Sequence, residues 1–328
     1  MNPLRLLPLF VISLLAGPAL ADDLRIGLIG LDTSHAVVFT RLLNDPKNPD
    51  HVPGGRIVAA YKAGSPDIAN SVSRIEGFVA ELKKDPGIVF YDSIPELVRN
   101  VDAVMIVSVD GRPHLEQAKQ VFPSKKPLFV DKPAAGTLRD TIELFRLARE
   151  SGTPCYSVSS LRANAKAALA NAKFGELRGA FTYGPAELEP HHPDLFWYGI
   201  HSVETLFTLM GPGCQTVVRT QTGNAEVATG VWADGRVGTM RGTRDARSIY
   251  GFTVFGSQAV VTPELGRGYN LLLEEVIAFF KTGVPPVTAE ETIEIFTFME
   301  AADESKRRGG VPVTLAEVLK ANTPSEKR

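Results

Sequence analysis

Short, nearly continuous apolar runs alternate with helix-spaced segments through the first half of the chain. The runs fall at 25–29, 56–61, 87–91, 103–109, 128–130 and 155–158, and helical spacing marks 36–43, 67–84, 114–122 and 138–149. Strands without a polar face need cover on both sides, which helices between parallel strands supply. The pattern predicts an α/β fold, with a Rossmann-like, doubly wound parallel sheet over residues 22–160.

Beyond Arg162 the pattern changes. Helical spacing at 164–174, a strand near 180–183 and a helix over 197–210 lead into "CQTVVRTQTG", "EVATGVWADGRVGTMRG" and "YGFTVFGSQAVVT". Those stretches alternate and are separated by short Gly-containing or Asp-Gly turns, as antiparallel hairpins are. Helices over 269–281 and 289–306 follow. The prediction is a second, α+β domain with an open antiparallel sheet over 161–320, and a disordered tail at 321–328.

The first residues change the picture of where the protein works. Met1 to Ala21 carry one positive charge at Arg5, an apolar run from Leu6 to Leu15 and then Ala19-Leu20-Ala21, the layout of a secretory signal peptide. The run is too short for a membrane span. A periplasmic or secreted protein, cleaved after about Ala21, is therefore expected. Without Arg5 the chain has 34 basic and 37 acidic side chains, a balance that favours neither nucleic acid nor an anionic membrane. At 44% hydrophobic residues there is enough apolar mass for two cores. Cys155 and Cys214 are the two cysteines; export would permit a disulfide, but Cys155 lies in an apolar run where buried thiols are common.

Ligands of open α/β sheets bind beyond the carboxyl ends of the strands. Those ends carry Asp32 and His35, Lys62, Asp110 with His114, Asp131 with Lys132, then Ser159, Ser160 and Arg162. Some of this bunching is ordinary helix capping: Asp32, Thr33 or Ser34 would cap the helix near His35, and Asp110-Gly111 would turn the chain into the helix at Pro113, with His114 on its surface. His191 and His192, in a Pro-rich loop, read as solvated. His201 lies on the apolar helix "WYGIHSVETLFTLMG", whose buried stripe is Val203, Leu206, Phe207 and Met210.

An ordered set of motifs resembles the Gfo/Idh/MocA oxidoreductases, the family of glucose-fructose oxidoreductase and inositol dehydrogenase. "IGLIG" opens the first domain, "PHLEQAKQVFPSKKPLFVDKP" resembles its His-bearing helix and Glu-Lys-Pro-type motif, "WYGIHSVETL" its catalytic helix, and "ATGVWADGRVGTM" its sheet. The likeness runs over essentially the whole mature chain. It implies an oxidoreductase using NAD or NADP on a sugar or polyol hydroxyl, with Lys132 hydrogen-bonding the hydroxyl and His201 taking its proton. It places the cofactor among Gly27, Gly30, Asp32, Thr33, Ser34, His35, Lys62, Asp110, His114 and Asp131.

Several positions depart from that family. Asp32 stands where the fingerprint has its second glycine, and His35 replaces the third small residue. A carboxylate beside a pyrophosphate would repel it by roughly 4 kcal/mol at an effective dielectric near 20. Lys62, near where NAD enzymes keep an acid for the ribose, favours a 2'-phosphate and so NADP. Trp197 replaces a common aspartate one turn before His201, leaving Glu204 to orient the imidazole.

Two other readings use the same residues. Asp32, His35, Asp110, His114 and Asp131 would serve a metal-assisted carbohydrate hydrolase or lyase if they converged. Arg162 and Trp197 would bind a sugar, by hydrogen bonding and stacking, in an enzyme or in a non-catalytic carbohydrate-binding protein. An open sheet also needs cover, and a homo-oligomer packed through it is expected.

Overall fold

The computed structural model describes residues 23–245 and 249–324. The predicted leader, and the tail from 325 onward, lie outside them.

The first domain is built from β1 (Leu24–Ile29), α1 (Ser34–Asn44), β2 (Gly55–Tyr61), α2 (Ala69–Val72), α3 (Ile75–Leu82), β3 (Val89–Tyr91), α4 (Ile94–Arg99), β4 (Ala103–Ile106), α5 (His114–Val121), β5 (Leu128–Asp131), α6 (Leu138–Ser151) and β6 (Cys155–Val158). The six strands are parallel in the order β3-β2-β1-β4-β5-β6, with the crossover between the β1-β2 and β4 sides of the sheet. That reversal opens a crevice at the carboxyl ends of β1 and β4.

Local chemistry sets several boundaries. Thr33, Ser93 and Thr137 cap α1, α4 and α6 with their side-chain oxygens. The single helix expected over 67–84 is two, interrupted at Ser73 and Arg74, and the strand expected to reach 109 ends at Ile106. The helix α4, with Pro95 in its first turn, was too short to register as periodicity.

The second domain continues with α7 (Ser160–Leu169), β7 (Leu177–Pro185), α8 (Gly199–Met210), β8 (Cys214–Gln221), β9 (Ala225–Trp232), β10 (Val237–Thr243), β11 (Gly251–Gly256), β12 (Val260–Val261), α9 (Asn270–Thr282), α10 (Ala289–Arg307), β13 (Val313–Thr314) and α11 (Leu315–Asn322). Its seven strands run β12-β11-β7-β10-β9-β8-β13. The sheet is mixed rather than purely antiparallel, because β10 lies parallel to β7. The helix expected at 164–174 starts four residues earlier, at the Ser159 cap, and α11 occupies the start of the expected tail.

Packing redistributes the helices between domains. Leu272, Leu273, Val276, Ile277, Phe279 and Phe280 of α9 join Ile26, Leu28, Ile57 and Phe39 in one core, so α9 covers the first sheet although it follows the second in sequence. The helices α4, α5 and α6 cover the opposite face. The second core sets α8, α10 and α11 against β8, β9 and β10, leaving the other face of that sheet open. The segment leading into α9 is thereby drawn across the crevice. Cys155 and Cys214 are free thiols on different sheets.

Candidate active site

The loop after β1 is shaped by Gly30. Its φ of +90° lies in the region glycine favours, and a Cβ there would fall 2.4 Å from the Ser108 backbone nitrogen, so the loop lies directly on the end of β4. Gly27 has a different role from the one expected: a Cβ on it would meet Leu97 Cδ2 at 2.4 Å, so its smallness serves the packing of α4. Asp32 also departs from expectation. It is fully buried, with Oδ1 accepting the Val109 N–H at 3.0 Å, and Oδ2 has no partner among the described residues. It does not line the cavity that opens at the start of α1.

The start of α1 remains open on the other side. Thr33 Oγ1 accepts the His35 N–H at 3.3 Å, while Ser34 is exposed and Arg74, from the break between α2 and α3, lines the same cavity. A helix N-terminus with an arginine beside it suits a phosphate. The tight Gly30 turn, the open N-terminus and Arg74 together fit a dinucleotide's phosphates.

A cavity of about 260 Å³ lies between these residues and the second domain, and Lys132 and His201 both line it. The Lys132 ammonium sits 5.2 Å from the centre of the Tyr198 ring. Burial, reinforced by the positive charge of Arg74, holds its pKa below the ordinary lysine value, although Asp131 opposes the shift. His201 Nδ1 lies 2.7 Å from Ser159 Oγ, which also accepts the Leu161 N–H. Burial and the neighbouring charges of Lys132 and His35 hold the imidazole well below its usual pKa, so it is neutral at pH 7. With Nδ1–H donating to Ser159, Nε2 is left as a base. Glu204 reaches the ring only indirectly, by accepting the Ser159 N–H at 2.7 Å, and burial pushes its pKa up to about 7.

His35 reaches across the crevice. Its Nδ1 is paired with Asp131 Oδ2, its Nε2 is 3.1 Å from the Tyr269 hydroxyl, and its ring stacks on Phe39. Asp131 Oδ1 accepts the Lys132 N–H at 2.9 Å, so both carboxylate oxygens are engaged. His35 and Lys132 hold the Asp131 carboxyl below its ordinary value against the opposing effect of burial.

The remaining expected residues are elsewhere engaged. Lys62 is exposed and pairs with Glu76 at 2.5 Å. Asp110 is buried and accepts from Ser65 Oγ and Arg112, with His192 Nε2 3.0 Å away; His192, expected in solvent, is buried there. His114 is also buried rather than on the surface, with Nδ1 2.9 Å from the Pro133 carbonyl and Nε2 3.0 Å from that of Ser108. Arg162, expected at the substrate, is buried against Glu291 of α10. Trp197 is 3% exposed and packs on His192 instead of lining the cavity. The convergence of Asp32, His35, Asp110, His114 and Asp131 that a metal-assisted reading requires is not found: among the described residues no three His, Cys, Asp or Glu come together to hold a metal ion.

Sequence reasoning missed Arg74, Tyr198, Tyr250, Arg267 and Tyr269, all of which line the cavity. Tyr198 and Tyr269 sit at the N-terminal ends of α8 and α9, a signal that becomes readable only when those ends are known to point into the crevice.

The molecule thus sets a Rossmann-like parallel sheet beside a second, mixed sheet, with the His201 imidazole and the Lys132 side chain lining one cavity. Residues 24–159 match the GFO_IDH_MocA family, described as an oxidoreductase family with an NAD-binding Rossmann fold. The uncharacterised oxidoreductase YhhX of Escherichia coli is 29% identical over 136 residues, covering 37% of this chain and 39% of that protein. The chain thus matches well under half of that relative's length. The myo-inositol dehydrogenase of Lactobacillus casei, solved with NAD(H) and myo-inositol, superposes with a TM-score of 0.67 at 17% identity over 89% of this chain and 97% of that one. The scyllo-inositol dehydrogenase of the same organism, solved with NAD(H) and scyllo-inositol, gives 0.69 at 15% over 90% and 100%. At these identities the likeness shows a shared fold. Among the described residues no helix is long and apolar enough to cross a membrane.

Proposed function

We propose that this chain is an exported NAD(P)-dependent oxidoreductase acting on a hydroxyl of a sugar or polyol. The observation that carries the reading is the placement of Lys132 and neutral His201 on one cavity beside a loop that fits a dinucleotide's phosphates. His201 Nε2 accepts the hydroxyl proton, with Ser159 fixing the ring through Nδ1. Lys132 donates to the same oxygen and stabilises the negative charge that develops as the proton leaves. Bound nicotinamide would supply the hydride acceptor. Ser34 and Arg74 would hold its phosphates. The inositol dehydrogenases of the same fold support a cyclic polyol or sugar as the substrate class. The leader-like start of the sequence supports export.

Calorimetry of the mature protein with NAD, NADH, NADP and NADPH, followed by a hydride-transfer screen of sugars and polyols, tests the proposal. Micromolar binding of one cofactor is expected, with turnover reduced roughly 100-fold or more in His201→Ala while cofactor binding persists. Binding of none of the four would overturn it.

A further inference from the structure

The charge of the cavity goes beyond what a neutral sugar requires. Three cationic side chains line it, Arg74, Lys132 and Arg267, against one carboxylate, Asp131. That carboxylate is spent internally, with one oxygen on His35 and the other on the Lys132 N–H. Neither Lys132 nor Arg267 has an ion-pair partner among the described residues. The excess positive charge is felt inside the site, where Arg74 and Lys132 each disfavour protonation of a neighbour.

The cations come from separate segments of the chain. Arg74 stands beside Ser34 at the start of α1, where the proposed cofactor phosphates belong. Arg267 is exposed and comes from the segment leading into α9, with Tyr269 at the end of that segment, and its charge reaches Tyr250. The hydroxyls of Tyr198, Tyr250 and Tyr269 all keep their protons at neutral pH, because burial raises each pKa, and so they remain hydrogen-bond donors. Glu187 also reaches Tyr198 and Tyr250 electrostatically, but it is exposed and does not line the cavity. Glu204, whose field reaches Lys132, is buried behind Ser159 and only partly ionised near pH 7.

We infer that the substrate is an acid, a sugar acid or polyhydroxy acid whose carboxylate is received by Arg267, beside Tyr250 on the shared cavity. A guanidinium and tyrosine hydroxyls form a donor set for a carboxylate, and desolvated neighbours strengthen the attraction. The inference deepens the proposed function and rests on that reading for its place in a reaction, though its binding test does not need the cofactor.

The test is calorimetry of the mature protein with matched acid and neutral pairs, D-gluconate against D-glucitol and D-galacturonate against D-galactose, each with and without NADP. At least one acid is expected to bind about tenfold tighter than its neutral counterpart, with affinity falling as salt rises, since a charge-assisted hydrogen bond contributes on the order of that factor. Arg267→Gln should erase the preference, and Arg74→Gln should keep it while weakening NADP. Equal or better binding of the neutral partner overturns the inference, as do failure of both acids to bind and a preference that survives Arg267→Gln. Acid binding without any nicotinamide binding would instead sink the oxidoreductase reading and leave this one standing.

Discussion

His35 and Asp131 pair across the crevice, joining the first turn of α1 to the end of β5, with Tyr269 of the α9 approach completing the chain of contacts. A carboxylate only accepts, so Nδ1 carries the proton, and Nε2 shares a hydrogen bond with the tyrosine hydroxyl at 3.1 Å. Removing the imidazole leaves Asp131 buried with an unpartnered oxygen. His35→Ala should lose about 3 kcal/mol of stability in urea unfolding at pH 7, and Tyr269→Phe about 1 kcal/mol. Equal, negligible losses from both would show that the pair bears no structural weight.

The neutrality of His201 has a stated cause and therefore a stated response. Burial comes first, then the positive charges of Lys132 and His35. In wild type the ring should stay neutral at pH 6.5, followed by nitrogen chemical shifts of labelled histidine. Lys132→Met removes one repelling charge, so the ring should titrate at higher pH than in wild type. An unchanged or lowered midpoint would contradict the charge placement.

Glu204 links stability to pH. Burial pushes its folded pKa up to about 7 from 4.5, so the folded state binds more protons in that window. Its contribution is present below pH 4.5 and is lost as pH rises through 7, on the order of 3 kcal/mol in full. Glu204→Gln keeps an acceptor for the Ser159 N–H and removes the ionisation. The variant should gain stability relative to wild type between pH 5 and pH 8.5, measured as urea midpoints at each; a constant difference would refute the linkage.

The β1 loop should respond unequally to substitution. Gly30→Ala forces a side chain into a left-handed φ and onto the Ser108 backbone, and should cost about 2 kcal/mol or more together with nicotinamide binding. Asp32→Ala leaves the buried Val109 N–H without its acceptor and should cost about 1–3 kcal/mol. Asp32→Gly should give no gain in cofactor affinity by calorimetry, because the carboxylate it removes is buried on the Val109 N–H and does not line the cavity.

The open face of the second sheet should bind a second copy of the chain. Val231, Val237, Phe255 and Val260 are exposed across β9, β10, β11 and β12, with Arg241 the charge among them on β10. An apolar face with so little charge is complementary to itself under two-fold symmetry. Light scattering after size exclusion should give a dimer or a multiple of it, and Val237→Lys with Phe255→Glu should shift the mass toward monomer. A wild-type monomer at micromolar concentration would rule the contact out.

The sequence by itself determined the layered plan and half of the site. Unbroken apolar runs such as 103–106 can only be strands covered on both sides, and their ends brought Lys132 and His35 to one edge without any knowledge of packing. The helix of His201 was equally readable from its apolar stripe. Periodicity records which face of an element avoids water, and that is a local property. Tertiary structure alone decided what each polar group met. Trp197 and Tyr198 are neighbours in sequence, yet the turn into α8 sends one ring onto His192 and the other into the cavity. Arg162 found Glu291, 129 residues away, and Asp32 found the Val109 N–H, because a buried charge or donor takes whichever partner the packed elements bring within reach. The return of α9 to the first sheet delivered Tyr269 to His35 and Arg267 to the cavity, a consequence of apolar surface matching between segments that no short window of sequence contains.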